Sequence, residues 1–150
     1  MNFPVEIREE AGREPTLYGV IVQEGRAATG GRREVFAPGA IEWPSEGVGV
    51  MTEHRGAIEV RGHVIRDRNG RLALTARATD RIVQAVRDGK RFMSVEFRAL
   101  QERTTKGGVR EILRAFVDSA ALTDRPEYDT TAAEVRSAAG DVERKARVWL

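Results

Sequence analysis

The chain has 150 residues, 41% hydrophobic and 32% charged, enough for one domain that buries roughly 70% of its unfolded surface. It has no cysteine, which excludes disulfides, thiolate catalysis and cysteine-based zinc sites. Basic and acidic residues nearly cancel, 25 against 23, so the net charge of +2 is a weak basis for nucleic-acid binding.

In chain order, Val5-Glu6-Ile7 and Leu17 to Val22 read as early strands. Gly30, Gly31, Arg32 and Arg33 read as a loop. Val48-Gly49-Val50-Met51 is a short apolar strand leading directly to Glu53-His54. Ala57 to Ile65 and Leu72 to Ala78 flank Asp67-Arg68-Asn69-Gly70-Arg71, where Asn-Gly supplies the positive φ values of a tight hairpin turn. A helix follows, capped by Thr79 or Asp80, with Ile82, Val83 and Val86 on one face and Gly89 at its stop. Phe92 to Leu100 and Val109 to Leu122 flank Thr104-Thr105-Lys106-Gly107-Gly108 and predict a second hairpin. Beyond Pro126 the chain is expected to contain a last strand over Ala132 to Arg136 and a short basic helix over Asp141 to Leu150.

The fold class is therefore mostly β with few helices (α+β), as one domain over residues 1–136 with a tail over 137–150. No run approaches the ~18 apolar residues of a spanning helix. Met1 leads into Asn2-Phe3-Pro4-Val5 rather than a basic-then-apolar signal, so a soluble protein kept inside a cell is expected.

The chemical inventory is short: two histidines, His54 and His63, and four serines, Ser45, Ser94, Ser119 and Ser137. No metal-ligand spacing, P-loop or dinucleotide glycine pattern is present, so no metal or cofactor is expected. Serine chemistry remains, because histidine near neutral pH can take a hydroxyl proton. Met93, Val95 and Phe97 alternate with Ser94, Glu96 and Arg98, and on pattern alone Ser94 is a solvent-facing strand residue. His54 falls at a strand end, where functional groups are often displayed. His63 sits mid-strand and suits a structural role.

Several blocks in order resemble the prohead protease family of tailed phages. They are Leu17-Tyr18-Gly19-Val20, then Glu34-Val35-Phe36-Ala37-Pro38-Gly39-Ala40-Ile41, then the apolar strand ending at His54. The Asp-Arg-Asn-Gly hairpin follows, then Met93-Ser94-Val95-Glu96-Phe97, and last Ala121-Leu122-Thr123-Asp124-Arg125-Pro126-Glu127-Tyr128. The likeness covers roughly residues 17 to 136. It implies a closed, mostly antiparallel β-barrel like that of herpesvirus assemblins. It implies a serine endopeptidase that cuts scaffold, the N-terminal segment of the major capsid protein and itself, inside the immature capsid in the bacterial host cytoplasm. Ser94 takes the nucleophile position and His54 the base, 40 residues apart. A homodimer is a further expectation; neither a membrane nor a specific nucleic acid is expected as partner.

The acid is where the chain departs from the family pattern. Many relatives carry Glu in an E-[VI]-S-L stretch, whereas Ser119 stands here, with Asp118 just before it. If Leu113, Ala115 and Val117 share the core face with Val95 and Phe97, Asp118 falls on the face of Ser94, roughly opposite at about 5 Å. Glu96 is the competitor, ~7 Å from Ser94 along the strand, and Glu111 ranks behind both. The oxyanion needs backbone N–H or arginine donors, and Arg125, shortly beyond the Asp118-Ser119 segment, is one candidate. The alternative function is a non-catalytic domain that binds capsid or scaffold protein and keeps the protease fold. A basic barrel binding single-stranded nucleic acid is a third alternative, disfavoured because aromatics are only 6%.

Overall fold

A computed structural model describes residues 4–25, 34–124 and the backbone of 135–137. Ten strands and one helix occur among them: β1 Glu6–Arg8, β2 Thr16–Gln23, β3 Glu34–Phe36, β4 Ile41–Glu42, β5 Val48–Met51, β6 Ile58–Arg66, β7 Arg71–Arg77, α1 Asp80–Arg87, β8 Phe92–Thr104, β9 Arg110–Thr123 and β10 Val135–Ser137. The expected α+β class, mostly strand, is what forms. The expected loop at 30–33, residues 132–134 of the last strand and residues 138–150 of the tail, with its expected helix, lie outside the described residues.

Both hairpins form because their turns are written locally. In the first, Gly70 N donates to Asp67 O (3.1 Å) and Asp67 N to Arg71 O (2.9 Å). Only Gly70, at φ +82°, takes the left-handed region; Asn69 does not. The turn is therefore not the two-residue, doubly positive type that Asn-Gly suggests. The Asp67 carboxylate instead accepts from the backbone N–H of Asn69 (2.8 Å) and Arg71 (3.0 Å), leaving one positive φ to the glycine. The second hairpin repeats this, with Gly108 N on Thr105 O and Thr105 N on Val109 O, and Gly108 at +79°. Between the hairpins, the Thr79 hydroxyl accepts from Ile82 N to start α1, and Gly89 at φ +107° follows its end. Ile82 and Ala85 are buried, and Val83 and Val86 pack on the core.

Pairing runs β1-β2-β7-β6-β5-β9-β8-β10, with β3 and β4 also on β9. The long ladders are antiparallel, but β3, β4 and β5 lie parallel to β9, and β10 parallel to β8. The sheet is thus mixed rather than simply antiparallel. Among the described residues no ladder joins its two ends, so their pairing does not close the sheet into a barrel. The β1 end does approach β8, the neighbour of β10: Val5 N, just ahead of β1, donates to Arg91 O just ahead of β8 (2.7 Å). At Gly19 of β2, an added Cβ would come 3.4 Å from Met93 Sδ of β8.

One apolar core gathers Leu17, Ile21 and Val22 of β2, Leu72 and Leu74 of β7, Met93 and Val95 of β8, and Ile112 and Val117 of β9, all at most 1% exposed. Phe36 and Phe97 meet edge to face at 5.2 Å. Beside this core Glu24 is buried at the end of β2. Its carboxylate accepts from the backbone N–H of Gly39 and Ile41 (both 2.9 Å) and from Arg66 Nε and Nη2 (2.9 and 3.0 Å). Arg66 Nη2 also donates to Ile41 O (2.6 Å), and its guanidinium stacks 5.1 Å from the Trp43 ring. The Pro38-Gly39-Ala40-Ile41 segment is therefore anchored by a paired, buried carboxylate.

Candidate active site

β9 lies between β5, which leads to His54, and β8, which carries Ser94 and Glu96. The registers form two transverse rows, Met51–Ala121–Ser94 and Gly49–Ser119–Glu96. Directly paired residues share a face, so Ser94 and Glu96 project from one side, about 7 Å apart along the strand. His54 sits in the turn after β5, closed by Gly56 N donating to Glu53 O (3.1 Å). That turn brings its imidazole back over the sheet to Glu96, with Nδ1 3.2 Å from Oε2.

With Nδ1–H donated to Glu96, the lone pair of the imidazole is at Nε2, the nitrogen needed to accept a proton from an alcohol. Both partners are partly exposed, with His54 and Glu96 side chains 40% and 32% accessible. Ser94 differs from its solvent-facing expectation. It is wholly buried, and its Oγ has no hydrogen-bond partner among the described residues. No bond therefore joins Ser94 to His54 in this state.

Asp118 is placed elsewhere than expected. Ala121, not Asp118, lies opposite Ser94, because β9 bulges where Glu96 pairs with Ser119 and Phe97 with Val117. Asp118 is the extra residue, and the bulge moves the following core positions to Ala120 and Leu122. A further irregularity, between Gln101 and Glu102, makes Ile112, rather than Leu113, fully buried. The Asp118 carboxylate meets Arg61 Nη1 at 3.4 Å, and that same nitrogen donates to Gly47 O (2.9 Å).

Glu111 is also apart from the serine, bonded to Arg103 across the ladder at 2.6 Å. His63 is exposed on β6, paired in register with Thr75. Arg125 lies outside the described residues.

Sequence reasoning did not single out Glu24, Arg66, Arg61 or Lys90. Lys90 Nζ donates to Thr52 O (2.6 Å), two residues before His54. None of the four stands in a motif, and their partners lie 14 to 57 positions away. Among the described residues no three carboxylates or histidines gather into a set that could hold a metal ion. No helix among them is long and apolar enough to cross a membrane.

Comparison with known proteins returned no matching family model, curated protein or solved structure.

Proposed function

We propose that the chain is a serine endopeptidase of the capsid-maturation type, with Ser94 as nucleophile, His54 as general base and Glu96 as the acid that orients the imidazole. The observation that carries this is the His54–Glu96 contact, made two residues from Ser94 and on its face of β8. His54 Nε2 takes the Oγ proton as Ser94 attacks a peptide carbonyl. The imidazolium returns that proton to the leaving amine, and water then hydrolyses the acyl ester by the same base. The buried Oγ must be uncovered for a substrate to reach it.

The substrates follow from the resemblance to prohead proteases: scaffold, the N-terminal segment of the major capsid protein, and the enzyme itself, within the immature capsid in a bacterial host. The assemblin-like barrel belongs to the same proposal. Its seam would lie between β2 and β8, where Gly19 approaches Met93.

The test is covalent. A fluorophosphonate should add to Ser94 in the folded chain, as read by intact mass and peptide mapping. Ser94→Ala should take no label, and His54→Ala should react at least about a hundredfold more slowly. Labelling that persists in Ser94→Ala, or no adduct on the native wild type, would overturn the assignment.

A second reading, a non-catalytic domain that binds capsid or scaffold protein, is favoured by the buried Ser94 Oγ and its lack of a bond to His54. Co-expression with the major capsid protein separates the two. Stable association without a change in capsid-protein mass supports the accessory domain, and truncation supports the enzyme.

A further inference from the structure

The turn that presents His54 is held from both sides. Arg55 is the one non-glycine among the described residues with a positive φ, at +60°, in the left-handed region side chains avoid. Gly56 closes the turn so tightly that an added Cβ would come 3.0 Å from Glu53 O and 2.9 Å from Glu53 Cγ. A backbone held this way needs an outside anchor, and Lys90 supplies one. After the stop of α1, Lys90 N donates to Ala85 O (3.0 Å), and its ammonium reaches back to Thr52 O at 2.6 Å. The contact is part-buried, and it gives the carbonyl where β5 ends a charge-assisted partner.

We infer that Lys90 is a positioning residue for His54: its ammonium ties the strained turn to the C-terminal end of α1 and so aims the imidazole Nδ1 at Glu96. This rests on the Ser94–His54–Glu96 assignment proposed above, and Lys90 acts through the backbone of the turn without touching substrate. The contact is local to the turn, so its loss should disturb the direction of the ring before it disturbs the core. Arginine can donate to the same carbonyl; methionine fills similar space without a donor.

The test reads the His54 ring directly. In ¹⁵N-labelled full-length chain, long-range ¹H–¹⁵N spectra should show His54 mainly as the Nδ1–H tautomer in wild type and in Lys90→Arg. In Lys90→Met the ring should move towards the Nε2–H tautomer preferred by free imidazole. The limiting rate of fluorophosphonate labelling should fall about tenfold or more, with half-saturation within about twofold, since small misplacements of a catalytic group carry large rate penalties. Lys90→Gln, whose amide is too short to reach Thr52 O, should behave as Lys90→Met does and serves if the methionine variant does not fold. An unchanged His54 tautomer in a folded Met or Gln variant would overturn the inference. A tautomer shift in a chain that takes no label at Ser94 would keep Lys90 as the anchor of the turn and remove the protease proposal.

Discussion

Glu96 stands two residues beyond Ser94 on β8, and its carboxylate, not that of Asp118, reaches the His54 ring at 3.2 Å. Asp118 is directed by the β9 bulge to Arg61. If Glu96 holds the imidazole in its reactive tautomer, Glu96→Gln should slow fluorophosphonate labelling of Ser94 by on the order of 10²–10⁴-fold. Asp118→Asn should leave the rate within about twofold, since its loss affects only an exposed ion pair. The opposite ranking in a stopped-time labelling assay would return the acid's role to Asp118.

The Glu24–Arg66 pair makes a stability prediction independent of the chemistry. The Glu24 side chain is 1% exposed and holds four hydrogen bonds, two of them from Arg66. Removing the cation leaves a buried carboxylate with only backbone donors. Arg66→Met should therefore destabilise the fold by about 3 kcal/mol, near the lower end for a broken buried pair because Arg66 is partly exposed. Urea unfolding measures this, and a loss under about 1 kcal/mol would mean that solvent compensates the carboxylate.

Two surface carboxylates bear on acid stability. A hydrogen bond from Arg110, aided by its charge, holds Glu102 below the usual carboxylate range despite partial burial. Arg114 does the same for Glu42. Arg110 also contacts Glu34, and its own pKa is raised, chiefly by the hydrogen bond with Glu102, so it stays charged throughout. A depressed folded pKa means stability that is in place above the ordinary value of 4.5 and is lost as pH falls through the folded value. Glu102→Gln should flatten the fall in stability below pH 4.5, by no more than about 1 kcal/mol because the pair is half exposed, and 1 M salt should shrink the difference. Urea midpoints from pH 3 to 7 check the sign; a deficit of the variant that grows as pH falls below 4.5 would contradict it.

What was legible in the sequence follows from how local each signal is. The Thr79 cap, the Gly89 stop and the two glycine-bearing turns are written within a few residues, so α1 and both hairpins could be read directly. β3 and β4 were not read as strands, because three- and two-residue segments acquire their structure from parallel pairing with β9, about 75 positions away. Ser94, Glu96 and His54 could be named from residue type and order, but the partner of His54 could not. Strict alternation carried past Val117 puts Asp118 on the face of Ser94. One bulge resets the phase, and nothing in Val117-Asp118-Ser119-Ala120 announces it. Glu24 and Lys90 escaped notice because a carboxylate and an ammonium look solvated until the distant backbone they hold is in place.

The burial of Ser94 makes the last prediction. A hydroxyl with no exposed surface and no partner among the described side chains and backbone is costly to bury, which opposes folding. If Ser94 were there for packing, alanine would serve as well or better. Ser94→Ala should leave the fold as stable as wild type or stabilise it by about 1 kcal/mol, the pattern of a group kept for reactivity at some expense to stability. Ser94→Val adds volume in a wholly buried position between Met93 and Val95 and should destabilise by about 1–3 kcal/mol. Thermal and urea unfolding of the two variants discriminate: a Ser94→Ala chain weaker than wild type by more than about 1 kcal/mol would show that the hydroxyl has a structural partner and remove the stability argument for a nucleophile.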